Sequence, residues 1–371
     1  MTVHQTIEPM QRSKQYDRSN QEALGSILRY SSTALRTRAR ENFNATEEGQ
    51  ALNAEFAKPD ADERMHDLVP RAVKLAESDN FYRLERLCQR IIAEEIHIRR
   101  ITYLEAERPD VTARRDAPFN SAGGTLEMDP EFRQPDYFDD VEWHLMPGGW
   151  DGYDLYDAPN AGPNVFVYKH GGFAAVPPES NIFGHRLQVA QQLTQDKYEK
   201  ILEIGCGAAS VMPFINKAHP EAELHGVDVS PTLLRSGHWA MERAGLPVHL
   251  KQRDNRDTGY EDETFDGIVS FAVHHEAPFQ ANVDMFKEAF RVLKPGGDIV
   301  LHDPPPFRAV DPFHAAILDW DTEHREEPFF SEASYANWDK EFEKIGFVNV
   351  QSYPLGDCGY PWITKATKPA A

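Results

Sequence analysis

Cysteine is scarce in this sequence: Cys88, Cys206 and Cys358 are the only three in 371 residues, and no two share a paired spacing. That excludes a disulfide-stapled scaffold and argues against a zinc site built on cysteines, as in a reduced cytosolic protein. Long apolar runs are also missing, none approaching the roughly 20 residues that span a bilayer. The opening Met1-Thr2-Val3-His4-Gln5 has neither the basic start nor the apolar stretch of a secretory signal, so a cytoplasmic location is expected. Positive charge is in deficit, with 39 basic against 60 acidic residues and a formal net charge of −21. Such a surface repels phosphate backbones, so neither nucleic acid nor membrane is an expected partner. The acidity reads mainly as solubility.

Apolar residues make up 40% of the 371 positions, enough for a real core. The length exceeds what one modest α/β domain needs and implies a main domain with a substantial appendage. Three parts are predicted. Residues 1–108 read as helical: Leu84, Leu87, Ile91, Ile98 and Ile101 recur at steps of three, four or their sum, on one stripe of a long helix ending near Pro109. That stripe reads as an intramolecular packing face, with an oligomer seam, such as a homodimer contact, as the alternative. Residues 109–180 are rich in Pro, Gly, Asp and aromatics, including Trp143, Trp150, Tyr153, Tyr156, Phe166 and Tyr168. So aromatic a segment can bury area; it is either a cover over a substrate or a connector draped across the main domain.

Residues 181–371 alternate strand and helix signals, which predicts an α/β fold with a seven-stranded, doubly wound, mostly parallel sheet. The strands are expected at 200–204, 223–227, 248–251, 267–271, 298–301, 348–353 and 362–366, the last of them able to run antiparallel. Helices are expected at 185–195, 209–217, 231–244, 282–292 and 331–345.

The first strand runs into Glu203-Ile204-Gly205-Cys206-Gly207, a turn whose glycines allow positive φ and close approach of a ligand. A dinucleotide site wants a third glycine where this chain has Ser210. Glu203 suits a ligand carrying an ammonium or sulfonium group better than one carrying a pyrophosphate. Asp228 ends the second strand, where a carboxylate can accept from both hydroxyls of a ribose. Its alternative role, N-cap of the following helix, fits Ser230 better. Asp254-Asn255 follows the third strand and suits an adenine edge, or else forms a solvated turn beside Arg253, Arg256 and Asp257.

In this order and spacing the motifs resemble the class I S-adenosylmethionine (SAM)-dependent methyltransferases, especially their small-molecule branch. The resemblance rests on Glu203 to Gly207, Asp228, Asp254, the strand Phe265-Asp266-Gly267-Ile268-Val269 and the turn Arg291-Val292-Leu293-Lys294-Pro295-Gly296-Gly297, and covers about residues 181–371. It implies SAM as cofactor, with S-adenosylhomocysteine as product. It also implies cofactor contacts at Glu203, Gly205, Cys206, Gly207, Asp228, Val229, Asp254, Asn255 and Phe271. The turn at 291–297 is structural.

Transfer of a methyl group from a sulfonium needs proximity, alignment and, for a hydroxyl or amine acceptor, loss of a proton. His274 or His275 is the candidate base, oriented by Glu276 or Asp303. The alternative is that they only line the cofactor or cap a helix. Trp150, Tyr153, Tyr168, Asp303, Phe313, Trp320 and Arg325 are the candidate acceptor contacts. Glu94 and His97 have the Glu-x-x-His step of di-iron proteins, but in one copy, and read as a salt-bridged helix surface. No metal is expected: the spacing of His302, His314 and His324 with their neighbouring aspartates matches no site. The expected activity is methylation of a small molecule on O, S, N or C. The rivals are a SAM-binding protein without transfer and a protein methyltransferase.

Overall fold

The computed structural model describes residues 15–139, 141–151, 153–154, 182–356 and 359–370. Its centre is an eight-stranded sheet: β1 (Thr125–Glu127), β2 (Lys200–Ile204), β3 (Glu223–Asp228), β4 (His249–Gln252), β5 (Phe265–Phe271), β6 (Leu293–Asp303), β7 (Val348–Pro354) and β8 (Trp362–Thr367). The spatial order is β1-β4-β3-β2-β5-β6-β8-β7. Every pairing is parallel except those of β8, which runs antiparallel between β6 and β7. The inner strands are apolar on both faces, as a sheet covered by helices requires; Ile201, Leu202, Val269, Ile299 and Val300 are fully buried.

All seven predicted strands form, and the eighth corrects the count. The three-residue β1 pairs with β4 through Thr125 and His249, and is too short to carry an alternation signal. The preceding Gly124 marks it, since a Cβ there would lie 2.5 Å from the Val248 carbonyl oxygen. Strand β6 also begins earlier than expected: Leu293 pairs with Phe265 before an irregularity, and regular pairing resumes at Asp298.

The helices Ile182–Ala190, Met212–Ala218, Pro231–Arg243 and Phe279–Val292 fall at the predicted places. Ser230 caps the third, its hydroxyl accepting from the Leu233 amide at 3.2 Å, with Pro231 in the first turn. The helix expected over 331–345 is two, Phe330–Tyr335 and Trp338–Ile345. At the break Ala336 is extended, its carbonyl taken by Arg308 at 2.8 Å, while the Asn337 amide reaches Asp62 at 2.9 Å. An additional helix, Pro312–His324, is capped by the Asp311 side chain.

The leading helices Arg36–Ala45, Glu47–Phe56, Met65–Ala76 and Asn80–Ala106 pack on this additional helix, while Gln15–Tyr30 packs on Asn80–Ala106 through Leu24 and Leu28 against Ile92 and Ile96. Phe43, Leu52, Leu68 and Tyr82 share one core with Phe307, Phe313 and Ile317. The Tyr82 hydroxyl donates to the Ala316 carbonyl at 3.0 Å, and Arg40 pairs with Asp311 at 2.6 Å. No helix of the described residues is long and apolar enough to cross a membrane.

The long helix forms where its periodicity predicted, but with the stripe outward. Leu84, Leu87, Ile91 and Ile98 are 47%, 54%, 48% and 58% exposed, so the expected packing face is not the packed face. The inward face instead carries Glu85, Arg86, Gln89, Ile92, Ile96 and His97. It is polar because Glu85 pairs with Arg36 at 2.8 Å and with Arg86, while Gln89 donates to Ser32. Between this helix and β2, the described part of the aromatic segment forms short turns whose Tyr137, Phe138 and Trp143 cluster against Phe329. Tyr156, Phe166 and Tyr168 lie outside the described residues.

Candidate active site

Strand β2 pairs with β3 on one side and β5 on the other. The chain order therefore reverses at the carboxyl ends of β2 and β5, the crevice where doubly wound sheets bind ligands. The glycine turn opens there. Gly205 and Gly207 sit at φ +66° and +48°, and a Cβ on Gly205 would lie 2.4 Å from Val273 Cγ2. Strand β3 and the loop after β4 hold the turn. The Gly207 amide donates to Asp228 Oδ2 at 2.7 Å, that of Cys206 to the Val227 carbonyl at 3.0 Å, and that of Gly205 to Asn255 Oδ1 at 3.2 Å. Asp228 Oδ1 also accepts from the Ser230 amide at 2.8 Å. Burial raises the Asp228 carboxyl to about 6 against the pull of these amides.

Glu203 is buried, and its Oε2 has no hydrogen-bond partner among the described residues. Burial pushes its carboxyl well up, opposed by the charge of Arg186. The Arg186 guanidinium covers the Phe271 ring at 4.8 Å and donates to Ser210 Oγ at 3.2 Å. On its other side Phe271 stacks on His302 at 4.0 Å. Cys206 is buried, with its thiol pushed up by burial, and is no nucleophile. The Val229 carbonyl accepts from the Gln252 amide at 3.2 Å. Asp254 is engaged by its neighbour: Arg256 Nη2 donates to Oδ2 at 2.6 Å and Nε to both oxygens at 3.0 Å.

Val273, the residue against Gly205, leads directly into His274, His275 and Glu276, a buried turn after β5. His274 and His275 line a narrow cleft with Asp303, Arg308, Trp338 and Trp362. Asn282 donates its amide to the carbonyls of His274 and Ala277, both at 2.8 Å, which turns its oxygen to His274 Nδ1 at 2.7 Å. His274 therefore carries its proton on Nδ1, and Nε2 holds a lone pair with no partner among the described residues. Burial lowers its pKa, keeping the ring neutral.

His275 Nδ1 lies 2.6 Å from Asp303 Oδ1, and its Nε2 lies 3.3 Å from Glu276 Oε1. The same Glu276 oxygen meets His144 Nε2 at 2.7 Å, while His144 Nδ1 meets Glu327 at 2.9 Å. Burial opposes charge on His144, but Glu276 and Glu327 override it and raise the imidazole to about 10.

The remaining candidates separate. Trp150 stands edge-on to His144 at 5.6 Å. The Tyr153 hydroxyl meets Glu105 and Arg108, its ring packing beside Leu104 and Val111. Phe313 is 1% exposed between Phe43 and Tyr82, so it builds the core that docks the leading helices rather than a pocket wall. Trp320 lies under Arg86 at 5.0 Å, and Arg325 is buried beside Asp321. Sequence reasoning passed over Arg186, Arg308, Trp338 and Trp362, which have no local motif. It also passed over His144, which stood within the aromatic run.

Residues 201–297 match the family model of a methyltransferase domain. The chain is 31% identical over 148 residues to a sterol 4-C-methyltransferase of Caenorhabditis elegans, covering 37% of this chain and 42% of that protein. It is 30% identical over 164 residues to the erythromycin 3''-O-methyltransferase of Saccharopolyspora erythraea, covering 43% and 52%. A demethylmenaquinone methyltransferase of Anoxybacillus flavithermus is 27% identical over 193 residues, covering 46% and 78%. The chain thus spans about half the length of the first two relatives. With the glycine turn at the switch point of this strand order, these matches identify the sheet domain as a class I, Rossmann-like SAM-dependent methyltransferase domain.

Proposed function

We propose that this protein transfers the methyl group of SAM to a small-molecule acceptor held in the cleft at the carboxyl ends of β2, β5 and β6. The carrying observation is the wall shared by turn and cleft: Val273 packs over Gly205, and the next two residues line the cleft. SAM, when bound, supplies an electrophilic methyl on a sulfonium, and the bond to sulfur breaks in line as the bond to the acceptor forms. The residues fit it. The unpartnered Oε2 of Glu203 is a buried acceptor for an ammonium group. Asp228 keeps lone pairs for ribose hydroxyls, and Arg186 is the carboxylate partner at the mouth of the turn. His274 Nε2 takes the acceptor's proton where one must leave. The named acceptors of the relatives, a sterol, a macrolide and a quinone, are small organic molecules, in keeping with a cleft walled by Trp338 and Trp362.

The test is incubation with methyl-labelled SAM and a metabolite extract, followed by separation of volatile, small-molecule and protein fractions. Label in a small-molecule or volatile fraction is expected. Label in protein redirects the reading to a protein methyltransferase. Tight SAM binding without label, across extracts of several origins, favours a binding protein without transfer.

The outward stripe of the long helix supports pairing with a second copy of this chain. Its residues follow a heptad, with Leu84, Ile91 and Ile98 at one core position and Leu87, Glu94 and Ile101 at the other. Read in reverse the ladder is unchanged, so an antiparallel two-fold pairing sets Leu87 against Ile98 and Ile91 against Glu94 of the second copy, while Ile101, half-buried beside Leu104 and Val111 of its own chain, closes the end opposite Leu84. The Arg90–Glu94 pair within the seam and the flanking Arg99–Glu95 pair supply both signs of charge, as a self-complementary surface requires.

A further inference from the structure

The cluster of His144, His275 and Glu276 is not accounted for by methyl transfer. One ligand atom from each lies within 4.8 Å of the other two. Both imidazoles aim Nε2 at the same oxygen, Glu276 Oε1, at 2.7 Å and 3.3 Å. The opposite nitrogen of each ring is tied to its own carboxylate, His144 to Glu327 at 2.9 Å and His275 to Asp303 at 2.6 Å. This is how metal-binding histidines are held: the outer carboxylate fixes tautomer and ring orientation and makes the inner nitrogen a better donor. The second oxygen of Glu276 is an independent pointer. The residue is 8% exposed, and Oε2 has no hydrogen-bond partner among the described residues, an unusual state for a buried carboxylate.

The chain goes to some length to assemble this group. His144 reaches it from the aromatic segment, at φ 55°, with Leu145 also left-handed at 60°. Side chains rarely adopt such a backbone, and it concentrates at functional sites. His275 and Glu276 follow β5, Asp303 ends β6, and Glu327 follows the helix that docks the leading domain.

We propose that His144, His275 and Glu276 bind one divalent transition-metal ion, of the zinc(II) or iron(II) class, with Asp303 and Glu327 as outer carboxylates. Two imidazoles and one carboxylate select these ions over magnesium or calcium, which prefer all-oxygen sites. Binding exchanges two protons for one dication: the Nε2 protons shared with Glu276 leave to solvent, and the net charge of the cluster is kept. Three protein ligands leave coordination positions open, and His275 and Asp303 line the cleft. The open positions would hold an oxygen of the acceptor next to the methyl donor, a role that rests on the methyltransferase reading; the site itself does not.

The experiment is a titration of untagged, chelator-treated full-length protein with cobalt(II), followed by its visible ligand-field absorption. The expected result is saturation at one cobalt per chain, with bands bleached by added zinc. His144→Gln and Glu276→Gln each abolish the bands, while SAM affinity and the thermal midpoint show that the variants are folded. Glu327→Gln weakens cobalt about 10- to 100-fold without abolishing it. A wild-type protein without saturable cobalt absorption overturns the proposal, as does stoichiometric binding that survives in both ligand variants. Cobalt binding without methyl transfer would leave the site standing and remove the activity; transfer without cobalt binding would do the reverse.

Discussion

The backbone amide of Gly207 donates to Asp228 Oδ2 at 2.7 Å, tying the glycine turn of one strand to the acid that ends the next. One carboxylate thus shapes the cofactor turn and faces the expected ribose. Asp228→Ala removes both functions and is expected to weaken SAM binding by about 1–3 kcal/mol, measured by calorimetry. Because burial raises this carboxyl to about 6, the pH dependence has a definite sign. SAM should favour the ionised form, so its affinity is level in the alkaline range and falls as pH drops through about 6. Unchanged affinity in mildly acidic buffer would place the ribose contact elsewhere.

Gly205→Ala tests the same turn sterically. At φ +66° the new Cβ would lie 2.4 Å from Val273 Cγ2, so either the turn or the residue leading to His274 must move. Loss of measurable SAM binding is expected, together with a lower thermal midpoint. Retained affinity would remove the turn from the cofactor site.

Glu85 joins the leading helices electrically. Burial alone would raise its carboxyl, but Arg36 and Arg86 override that and pull it down to about 2. Because the folded-state pKa is depressed, the stabilisation is fully present above the ordinary carboxylate range and is lost as pH falls toward 2. Glu85→Gln takes the shared acid from the buried Arg86, which keeps only Asp321 at 3.9 Å, and from the half-buried Arg36, and should cost about 3 kcal/mol. Urea unfolding at neutral pH measures it. A cost under about 1 kcal/mol would assign the network to the class of exposed pairs.

The legible parts of this protein are those whose physics is local. Strands buried on both faces, a Gly-x-Gly turn with an acid before it, and a Ser-Pro helix start are each written within a few neighbouring residues. The stripe at Leu84, Leu87, Ile91 and Ile98 shows the limit: periodicity fixes that a helix has an apolar face, but not which way it turns. The inward face is held by Arg36 and Ser32, far away in sequence. The meeting of His144 with Glu276 and Glu327 spans 132 and 183 residues, and no local pattern encodes it. Phe313 misled for the related reason that an aromatic near a site reads the same whether it faces ligand or core.

His274 offers a test of the proton step. Asn282 fixes its tautomer from behind, so His274→Ala should lower kcat by about 100-fold or more for an acceptor that must lose a proton. Asn282→Ala should lower it less, by freeing the ring to turn. SAM affinity is expected to hold in both variants. Unchanged kcat in His274→Ala would mean that alignment alone suffices, as for an acceptor that is already anionic.

The exposed stripe predicts an assembly state. Wild-type protein should elute as a dimer in light-scattering chromatography, while Leu87→Glu with Ile91→Glu should give a monomer of unchanged thermal midpoint. The reasoning is asymmetric and therefore informative. Both side chains are about half exposed within one chain, so replacing them costs the isolated fold little, whereas two further carboxylates per helix, added to Glu94, would remove apolar contacts from the seam and bring like charges together there. A monomeric wild type would leave the stripe without a second copy to cover it. A monomeric variant that also unfolds early would show that the helix packs inward in a way this arrangement does not allow.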